Sequence, residues 1–379
     1  MPKSTNAHLA TLSPSGIRRV NALAAARGDC IALALGEPEF ATPVSVKLEA
    51  TAALERGETH YPPNNGTPSV REAIAAYMGE RGLAYAAEEV VLTAGATEAL
   101  YATFSAILMP GDEVVIPTPA FGLYESIVTT LHATPVFLDT CASGFQIEED
   151  ALAARVTPAT KAIVITSPNN PTGCVLTAAS LDAVARVAAR EGIYVICDDV
   201  YNRLVYTPGY ERFAQRHPSL AAQTVVVDSF SKPWAMTGWR LGWLAATGDV
   251  AAQIAKAHQY MVSSVPAFEM PAAARALTID PAPMLECYRA RREKVLAKLA
   301  YMGLSATEPA GAFYVFPSIA GTGLTSDEFC ERAIEETGVA VVPGTCFGAE
   351  GYVRLSYCVA DDVLDEGLRR LESFVRSLR

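Results

Sequence analysis

The stretch Asp228–Trp243, DSFSKPWAMTGWRLGW, decides the fold and the chemistry that we predict for this chain. The apolar run QTVVV precedes it and is typical of a buried strand, so Lys232 follows where that strand ends. Four bulky side chains surround the lysine in the sequence: Trp234, Met236, Trp239 and Trp243. We expect them to remove the amine from water, which lowers its pKa and makes it the nucleophile that a Schiff-base lysine must be. A lysine whose stem packs while its ammonium reaches solvent is the alternative that this stretch alone leaves open.

Apolar strand-like runs alternate with alanine-rich helical stretches through most of the chain. The strand candidates are EVVLTAG, DEVVIPT, TPVFLD, KAIVITS, IYVICDD and QTVVVDSF. The helix candidates between them are TEALYATFSAIL, AFGLYESIVTTLH and TAASLDAVARVAAREG, and Ser69 with Glu72 predicts a capping box for an earlier helix. Strands that are apolar on both faces and alternate with helices predict an α/β fold with a mostly parallel sheet covered by helices.

The pattern changes near residue 285, and this change sets the domain boundaries that we predict. A long charged helix, MLECYRARREKVLAKLAYMG, leads into the short strands GAFYVFP, VAVVPG and GYVRLSYC. That order indicates a smaller α+β domain. We therefore predict an N-terminal segment at 1–44, a large domain at 45–284 and a small C-terminal domain at 285–379.

The composition excludes several classes of protein. The chain has 379 residues, of which 50% are hydrophobic and 19% charged, so it has ample material for a large core. A net charge of −11 argues against nucleic acid and anionic membranes as partners. The start has no signal peptide and no apolar run is long enough to span a bilayer, so we expect a cytoplasmic protein. The eight cysteines form no CxxC pair, which favours reduced, buried thiols, and the five histidines lack metal-ligand spacing, so no metal is predicted.

Ligands of open α/β sheets bind beyond the carboxyl ends of the strands, so the residues that follow each strand candidate matter most. Ala94–Glu98 brings small residues into a helix start, which can cradle an anion, although a tight turn is the plainer reading. Pro168–Gly173 can present a rigid asparagine amide or be an ordinary turn. Asp198 and Asp199 end a buried strand, where one carboxylate can cap a helix and the other needs a cation.

One ligand suits all four strand ends, and it is pyridoxal phosphate. Its phosphate suits the anion cradle and its aldehyde suits Lys232. Its phenolic oxygen suits the amide donor, and its ring nitrogen suits the buried carboxylate. A carboxylate that faces this nitrogen keeps it protonated, so that the ring serves as an electron sink.

At this point the chain resembles the fold-type I, class I pyridoxal-phosphate aminotransferases, the aspartate aminotransferase superfamily, and within it the prokaryotic branch. The resemblance extends over nearly the whole chain. The motifs that carry it are SGIRRV, LALGEPEFATP, HYPPNNGTPSVREAI, TAGATEAL, SPNNPTG, CDDVYNRLVY, DSFSKPWAMTGWRLGW, GAFYVFP and GYVRLSYC. It implies that 45–284 binds the cofactor, that 1–44 joins the small domain and covers the active site, and that the enzyme is a homodimer.

The resemblance also implies a role for individual residues of the cofactor site. Lys232 would hold the cofactor as a Schiff base and move the proton between Cα and C4′. Asp198 would pair with the pyridinium nitrogen, and Tyr201 and Asn170 would hydrogen-bond the phenolic oxygen. The remaining cofactor-binding residues would be Gly95, Ala96, Thr97, Ser229 and Arg240 at the phosphate, Phe121 on the ring face, and Tyr61 from across the dimer interface.

For the substrate, the resemblance points to Arg354 as the partner of the α-carboxylate, since a guanidinium matches a carboxylate bidentately. Gly36 and Asn170 would lie beside the substrate, and Ile17 in its side-chain pocket. Some prokaryotic aspartate and prephenate aminotransferases carry a lysine at the position of Thr97. The threonine here favours a neutral or aromatic amino acid over aspartate, although Arg18 or Arg203 could still serve a distal carboxylate.

Three other classes of protein share part of this pattern. A carbon–sulfur β-lyase of the same fold uses the same cofactor residues, so the sequence leaves it open. A regulatory protein of this fold would need an N-terminal DNA-binding domain, for which 1–44 is too short. A nicotinamide-dependent dehydrogenase would need a GxGxxG motif after a strand, and none is present.

Overall fold

The fold is built around a seven-stranded sheet, which we describe from a computed structural model covering residues 3, 7–10, 12 and 16–378. The strands are Ile31–Ala32 (β1), Val90–Thr93 (β2), Glu113–Thr118 (β3), Thr134–Asp139 (β4), Thr160–Thr166 (β5), Tyr194–Asp198 (β6), Thr224–Ser229 (β7), Gly242–Ala245 (β8), Tyr314–Val315 (β9), Val339–Ala340 (β10), Val342–Pro343 (β11) and Val353–Ser356 (β12). The central sheet has the order β2-β8-β7-β6-β5-β3-β4.

The central sheet is mostly parallel, which confirms the predicted fold class. Strands β7, β6, β5, β3 and β4 run parallel, and β8 is antiparallel to both of its neighbours, β7 and β2. The six strand candidates all form strands within one or two residues of their predicted bounds. Strand β8 was not predicted, because four residues that begin with a glycine are too short to show a strand period.

Some of the helices cover the two faces of this sheet, and others pack against the short strands near the C-terminus. The helices are Ala7–Ala10 (α1), Gly16–Arg27 (α2), Val44–Glu55 (α3), Pro68–Gly79 (α4), Ala96–Ile107 (α5), Leu123–Thr130 (α6), Glu149–Ala153 (α7), Ala178–Glu191 (α8), Phe213–Arg216 (α9), Gly248–Val262 (α10), Glu269–Leu277 (α11), Ala282–Met302 (α12), Ser326–Thr337 (α13) and Asp361–Ser377 (α14). The capping box predicted at Ser69 is wrong, since α4 begins at Pro68 with Thr67 as its N-cap. Proline fixes the backbone angle that a first helical residue needs, and this places Ser69 inside the first turn.

A second, smaller sheet follows α12. Strands β11, β12 and β9 form it in that order, and all its pairs are antiparallel. Strand β1 of the N-terminal region pairs in parallel with β10, with Ile31 opposite Val339. The N-terminal region is therefore joined by strand pairing to elements near the C-terminus. The boundaries at 44 and 284 stay predictions.

The cysteines form no disulfide bond. Cys174, Cys197, Cys330 and Cys358 are buried, as expected, whereas Cys287 is exposed on α12. In the part of the chain that the structure describes, no helix is both long and apolar enough to cross a membrane.

Candidate active site

A cavity of about 290 Å³ opens where β5, β6 and β7 end. Parallel strands bring their carboxyl ends to one edge, and Thr166 of β5 lies opposite Asp198 of β6. The cavity brings together most of the site residues that the sequence predicts: Ile17, Gly36, Ala96, Thr97, Phe121, Asn170, Asp198, Tyr201, Ser229, Lys232, Arg240 and Arg354. Gly95 does not line the cavity but lies against Arg240, which does, and Tyr61 lies in a separate groove.

Lys232 points into the cavity, and its amine contacts a main-chain carbonyl group. The Nζ donates to the carbonyl of Gly36 at 2.6 Å, and the ring of Phe313 has its centre 5.8 Å away. Burial lowers the pKa of Lys232 to about 8. Far more of this amine is therefore neutral near neutral pH than of an exposed lysine, and the neutral form is the nucleophile.

The tryptophans do not form the wall around Lys232 that the sequence suggested. Trp234, Met236 and Trp243 are buried in a core cluster with Tyr77 and Phe230, away from the cavity lining. The chain turns back into the sheet as β8 straight after Arg240, and this return carries Trp243 into the core. The residues that shield the amine come instead from distant parts of the chain.

Asp198 ends β6 with one carboxylate oxygen satisfied and the other unpaired. The hydroxyl of Tyr124 donates to Oδ2 at 2.6 Å, whereas the buried Oδ1 has no hydrogen-bond partner. Burial raises the pKa of Asp198 to about 6. Asp199 does not line the cavity and interacts with the charge of Arg212, so Asp198 is the carboxylate available to a ligand.

Arg354 of β12 is buried, with only 2% of its surface exposed, and it reaches the cavity from the small sheet. Its Nη1 donates to Asn170 Oδ1 at 2.7 Å and its Nη2 to the Ala34 carbonyl at 2.6 Å, while its buried Nε has no partner. The guanidinium lies 4.6 Å from the centre of the Tyr314 ring. A solvent-facing role for Arg354 is excluded, and its free N–H groups suit an anionic ligand.

Two tyrosines meet on the same side of the cavity. The hydroxyls of Tyr201 and Tyr314 lie 2.9 Å apart, and a Cβ added to Gly36 would lie 2.1 Å from the Tyr314 hydroxyl. Burial raises the pKa of Tyr201 well above its ordinary value, so its hydroxyl keeps its proton and can donate. Gly36 must therefore be glycine for the N-terminal segment to approach this closely.

The start of α5 forms the anion cradle that the sequence indicated. Gly95 has φ +81°, and a Cβ there would lie 2.6 Å from Arg240 Nη2. A Cβ on Gly242 would lie 2.8 Å from the Ala96 nitrogen. The close approach of these backbones lets Arg240 lie beside the first N–H groups of the helix, where an anion is stabilised by both.

The segment Leu33–Gly36 lies across the cavity and is held through its carbonyls. Leu33 O accepts the Ser356 N–H at 2.8 Å, and Leu35 O accepts the Cys358 thiol at 3.5 Å. The carbonyls of Ala34 and Gly36 accept the Arg354 and Lys232 side chains. Four successive carbonyl oxygens of this segment thus accept hydrogen bonds from residues at the site or next to it.

Tyr61 is 92% exposed and does not reach this cavity. It lies in a surface groove with His60, Pro62, Val265 and Phe268. Of the other pocket candidates, Tyr101 packs against the helix core, Arg18 is exposed, and Arg203 pairs with Asp280 at 3.1 Å. None of these three lines the cavity.

Five polar residues that line the cavity were not predicted from the sequence: Tyr124, Thr166, Ser231, Thr237 and Tyr314. Tyr124 follows β3, so the rule on strand ends could have found it. Ser231 stands beside Lys232 and donates its N–H to Ser229 Oγ at 3.0 Å. Tyr314 carries no signal of its own, because it reaches the site only when the small sheet packs against the large one.

These residues fit pyridoxal phosphate. The unpaired Asp198 oxygen suits a ring N–H, the backbone cradle with Arg240 suits a phosphate, and the Lys232 amine suits an aldehyde. The fold and this site together define a pyridoxal-phosphate-dependent enzyme of fold type I.

The chain belongs to the class I and II aminotransferases, whose family model matches residues 28–371. It is 41% identical over 372 residues to the probable N-acetyl-LL-diaminopimelate aminotransferase of Bacillus subtilis, covering 96% of this chain and 94% of that one. It is 40% identical over 375 residues to the aspartate aminotransferase of Pyrococcus abyssi, covering 96% of each. The crystal structure of an aromatic aminotransferase from Pyrococcus horikoshii superposes with a TM-score of 0.90 at 38% identity, covering 95% of this chain and 100% of that one. The predicted family, enzyme class and cofactor are confirmed.

Proposed function

We propose that this aminotransferase moves the amino group from a neutral or aromatic L-amino acid to a 2-oxo acid in two half-reactions of a ping-pong cycle. One observation carries the choice of donor. The charged residues that line the cavity, within the described chain, are Asp198, Lys232, Arg240 and Arg354, and each has a role with the cofactor or the α-carboxylate. No cation is left over for a second carboxylate of the substrate.

The rest of the lining suits an uncharged side chain. Ile17, Leu100, Phe121 and Leu123 contribute apolar surface, and Thr97 stands where some prokaryotic aspartate and prephenate aminotransferases carry a lysine. The relatives are named for aspartate, aromatic and N-acetyl-diaminopimelate substrates, so their names support transamination and leave the donor open. The lining of the cavity is what favours the neutral or aromatic class.

Substrate binding is assigned to Arg354 and Asn170. The Arg354 guanidinium is already fixed by Asn170 and the Ala34 carbonyl, so little rotamer freedom remains to be lost when it binds a carboxylate. Its free N–H groups then orient Cα toward Lys232. Asn170 keeps its amide N–H group for the cofactor's phenolic oxygen, together with the Tyr201 hydroxyl.

Proton transfer is assigned to Lys232. When bound, pyridoxal phosphate supplies an aldehyde for the amino group and a ring that accepts the electrons released at Cα. The lowered pKa of Lys232 lets its neutral amine take the Cα proton, as general base, and deliver it to C4′, two bonds away, as general acid. Asp198 keeps the ring nitrogen protonated, and the Leu33–Gly36 segment excludes water during these transfers.

The test is a half-reaction without any oxo acid. Purified enzyme is titrated with leucine, phenylalanine and aspartate at equal concentrations, and the visible absorbance band and the released oxo acid are measured. We expect stoichiometric conversion with leucine or phenylalanine at a kcat/KM at least about tenfold above that of aspartate. Preference for aspartate would refute the donor class, and release of ammonia from β-substituted donors would indicate a lyase.

We further propose that two copies form each active site, with Tyr61 of one subunit reaching the phosphate bound by the other. The exposed Tyr61 lies in an apolar groove with the residues that follow α10, including Val265 and Phe268, and this groove is suited to a second copy. In this arrangement Tyr61 lies outside the cavity of its own subunit because it serves the cavity of the other subunit.

Mixing two inactive variants tests this arrangement. Lys232→Ala and Tyr61→Ala chains are refolded together and compared with each variant alone. A mixed dimer holds one site with an intact Lys232 and an intact partner tyrosine, so activity should rise well above the sum of the two homodimers. Activity that equals that sum would refute a Tyr61 that acts across the interface.

A further inference from the structure

His258 lies fully buried between α10, α5 and the loop before α4. Its Nδ1 is 3.1 Å from both carboxylate oxygens of Glu98, and its Nε2 is 2.8 Å from the carbonyl oxygen of Asn64. The Glu98 side chain is itself only 10% exposed. The carboxylate of this buried ion pair belongs to the first turn of α5, the helix that begins at the anion cradle.

The contacts of His258 favour a protonated ring. A carbonyl oxygen can only accept, so Nε2 must donate to Asn64, and a carboxylate is best satisfied by a second N–H donor at Nδ1. Burial lowers the pKa of His258, but the hydrogen bond and charge of Glu98 and the Asn64 carbonyl outweigh it and raise the pKa above its ordinary value. In the described part of the chain, Glu98 is the titratable group in contact with this ring.

Glu98 is placed where its charge matters for an anion. It follows Thr97 in the first turn of α5, and its Oε2 accepts the Ala94 N–H at 3.1 Å. A carboxylate in a first turn stabilises the helix, but it also opposes a second anion that binds the same N–H groups. A phosphate dianion beside Ala96 and Thr97 would face this carboxylate within about one helical turn.

We propose that His258 is a positioning residue for the phosphate cradle, and that its imidazolium neutralises Glu98 so that the start of α5 can accept a phosphate dianion. The inference rests on the proposed function, because it takes the residues around Ala96 and Arg240 to bind the cofactor's phosphate. Arg240 supplies positive charge on the other side of the cradle and does not contact Glu98.

The test compares His258→Gln with the double variant Glu98→Gln/His258→Gln. Apo protein is titrated with pyridoxal phosphate by the growth of the visible band, and inorganic phosphate is used as a competitor. We expect His258→Gln to weaken both affinities on the order of tenfold or more, since it leaves a buried charge unpaired near the phosphate. The double variant removes that charge and should return both affinities to within about threefold of the wild type.

The double variant separates electrostatics from packing. If single and double variants bind equally weakly, His258 only holds the Asn64 loop in place, and the inference is wrong. Unchanged affinity in His258→Gln also overturns it. If His258→Gln does not fold, wild type and double variant are compared between about pH 6 and 9, where only the wild type should lose phosphate affinity as its imidazolium deprotonates; parallel curves overturn the inference.

The results that would refute the proposed function differ from those that would refute the inference about His258. Wild-type protein that forms no visible band with pyridoxal phosphate, or a Lys232→Ala variant that forms the same band, would refute the assigned cofactor site. A wild type that forms the band while the His258 variants match it would refute only the inference about His258.

Discussion

Gly36→Ala tests whether the close approach of the N-terminal segment is needed for catalysis. An added Cβ would lie 2.1 Å from the Tyr314 hydroxyl oxygen and 3.1 Å from its ring Cζ. Ordinary contacts between heavy atoms lie at about 3.5 Å, so the two groups must separate by more than about 1 Å. Either Tyr314 leaves Tyr201, or the Gly36 carbonyl leaves Lys232.

Either route removes a hydrogen-bond partner from Tyr201 or Lys232, the residues to which we assign roles at the cofactor. A misplacement of about 1 Å in an active site lowers rate constants about a hundredfold, which corresponds to about 2.7 kcal/mol. We therefore expect kcat/KM of Gly36→Ala to fall about a hundredfold in steady-state transamination with the preferred donor. The thermal unfolding midpoint should fall by only a few degrees, because the shift is local to Gly36 and the Leu33 and Ala34 side chains stay buried.

The matched control is Gly36→Ala/Tyr314→Phe, measured against Tyr314→Phe alone. Removing the hydroxyl leaves a tight contact with Cζ, which a shift of a few tenths of an ångström relieves. We expect most of the activity lost in Gly36→Ala to return in the double variant. Equal activity of Gly36→Ala and wild type would refute the steric argument, and so would a double variant as slow as Gly36→Ala.

Three further predictions concern the buried charges. Lys232→Ala should lower turnover by at least about a thousandfold with an unchanged circular dichroism spectrum, because the general base is lost; a rate within tenfold of wild type would contradict it. Tyr124→Phe removes the donor that holds down the pKa of Asp198, so the acid limb of the kcat/KM–pH profile should move up by about one unit; an unmoved limb would count against the pairing. Burial raises the pKa of Asp199 to about 7, so the native state holds a proton that the unfolded chain has lost, and the free energy of unfolding should fall as pH rises from about 4 to 7. Asp199→Asn should flatten that fall in urea titrations at pH 5 and 8, and an equally steep fall in the variant would show that another group causes it.

The parallel sheet and the residues at its edge were predictable from the sequence. Runs apolar on both faces mark buried strands, and the carboxyl ends of parallel strands converge, so the positions of Asp198, Asn170 and Lys232 along the chain suffice to place them in one site. Only the order of strands and helices is needed for this. The prediction succeeds because each of these residues follows closely after a strand or ends one.

Contacts between distant segments were not predictable in this way. The sequence places four bulky residues around Lys232, but β8 carries Trp243 back into the core and Gly36 takes the position beside the amine. Tyr314 reaches Tyr201 only through the packing of the two sheets. Local sequence does not encode such contacts, since they depend on how separate elements meet.

The carbonyls of Leu33–Gly36 have a consequence for how this protein tolerates mutation. Ser356, Arg354, Cys358 and Lys232 are held by peptide oxygens, which every residue type possesses. Substitution of the exposed Leu35 should therefore leave its contact in place, whereas Leu33 and Ala34 must also fill the core. Deleting one residue would move each oxygen to its neighbour's partner, so evolution must keep the length of this segment as well as the glycine at position 36.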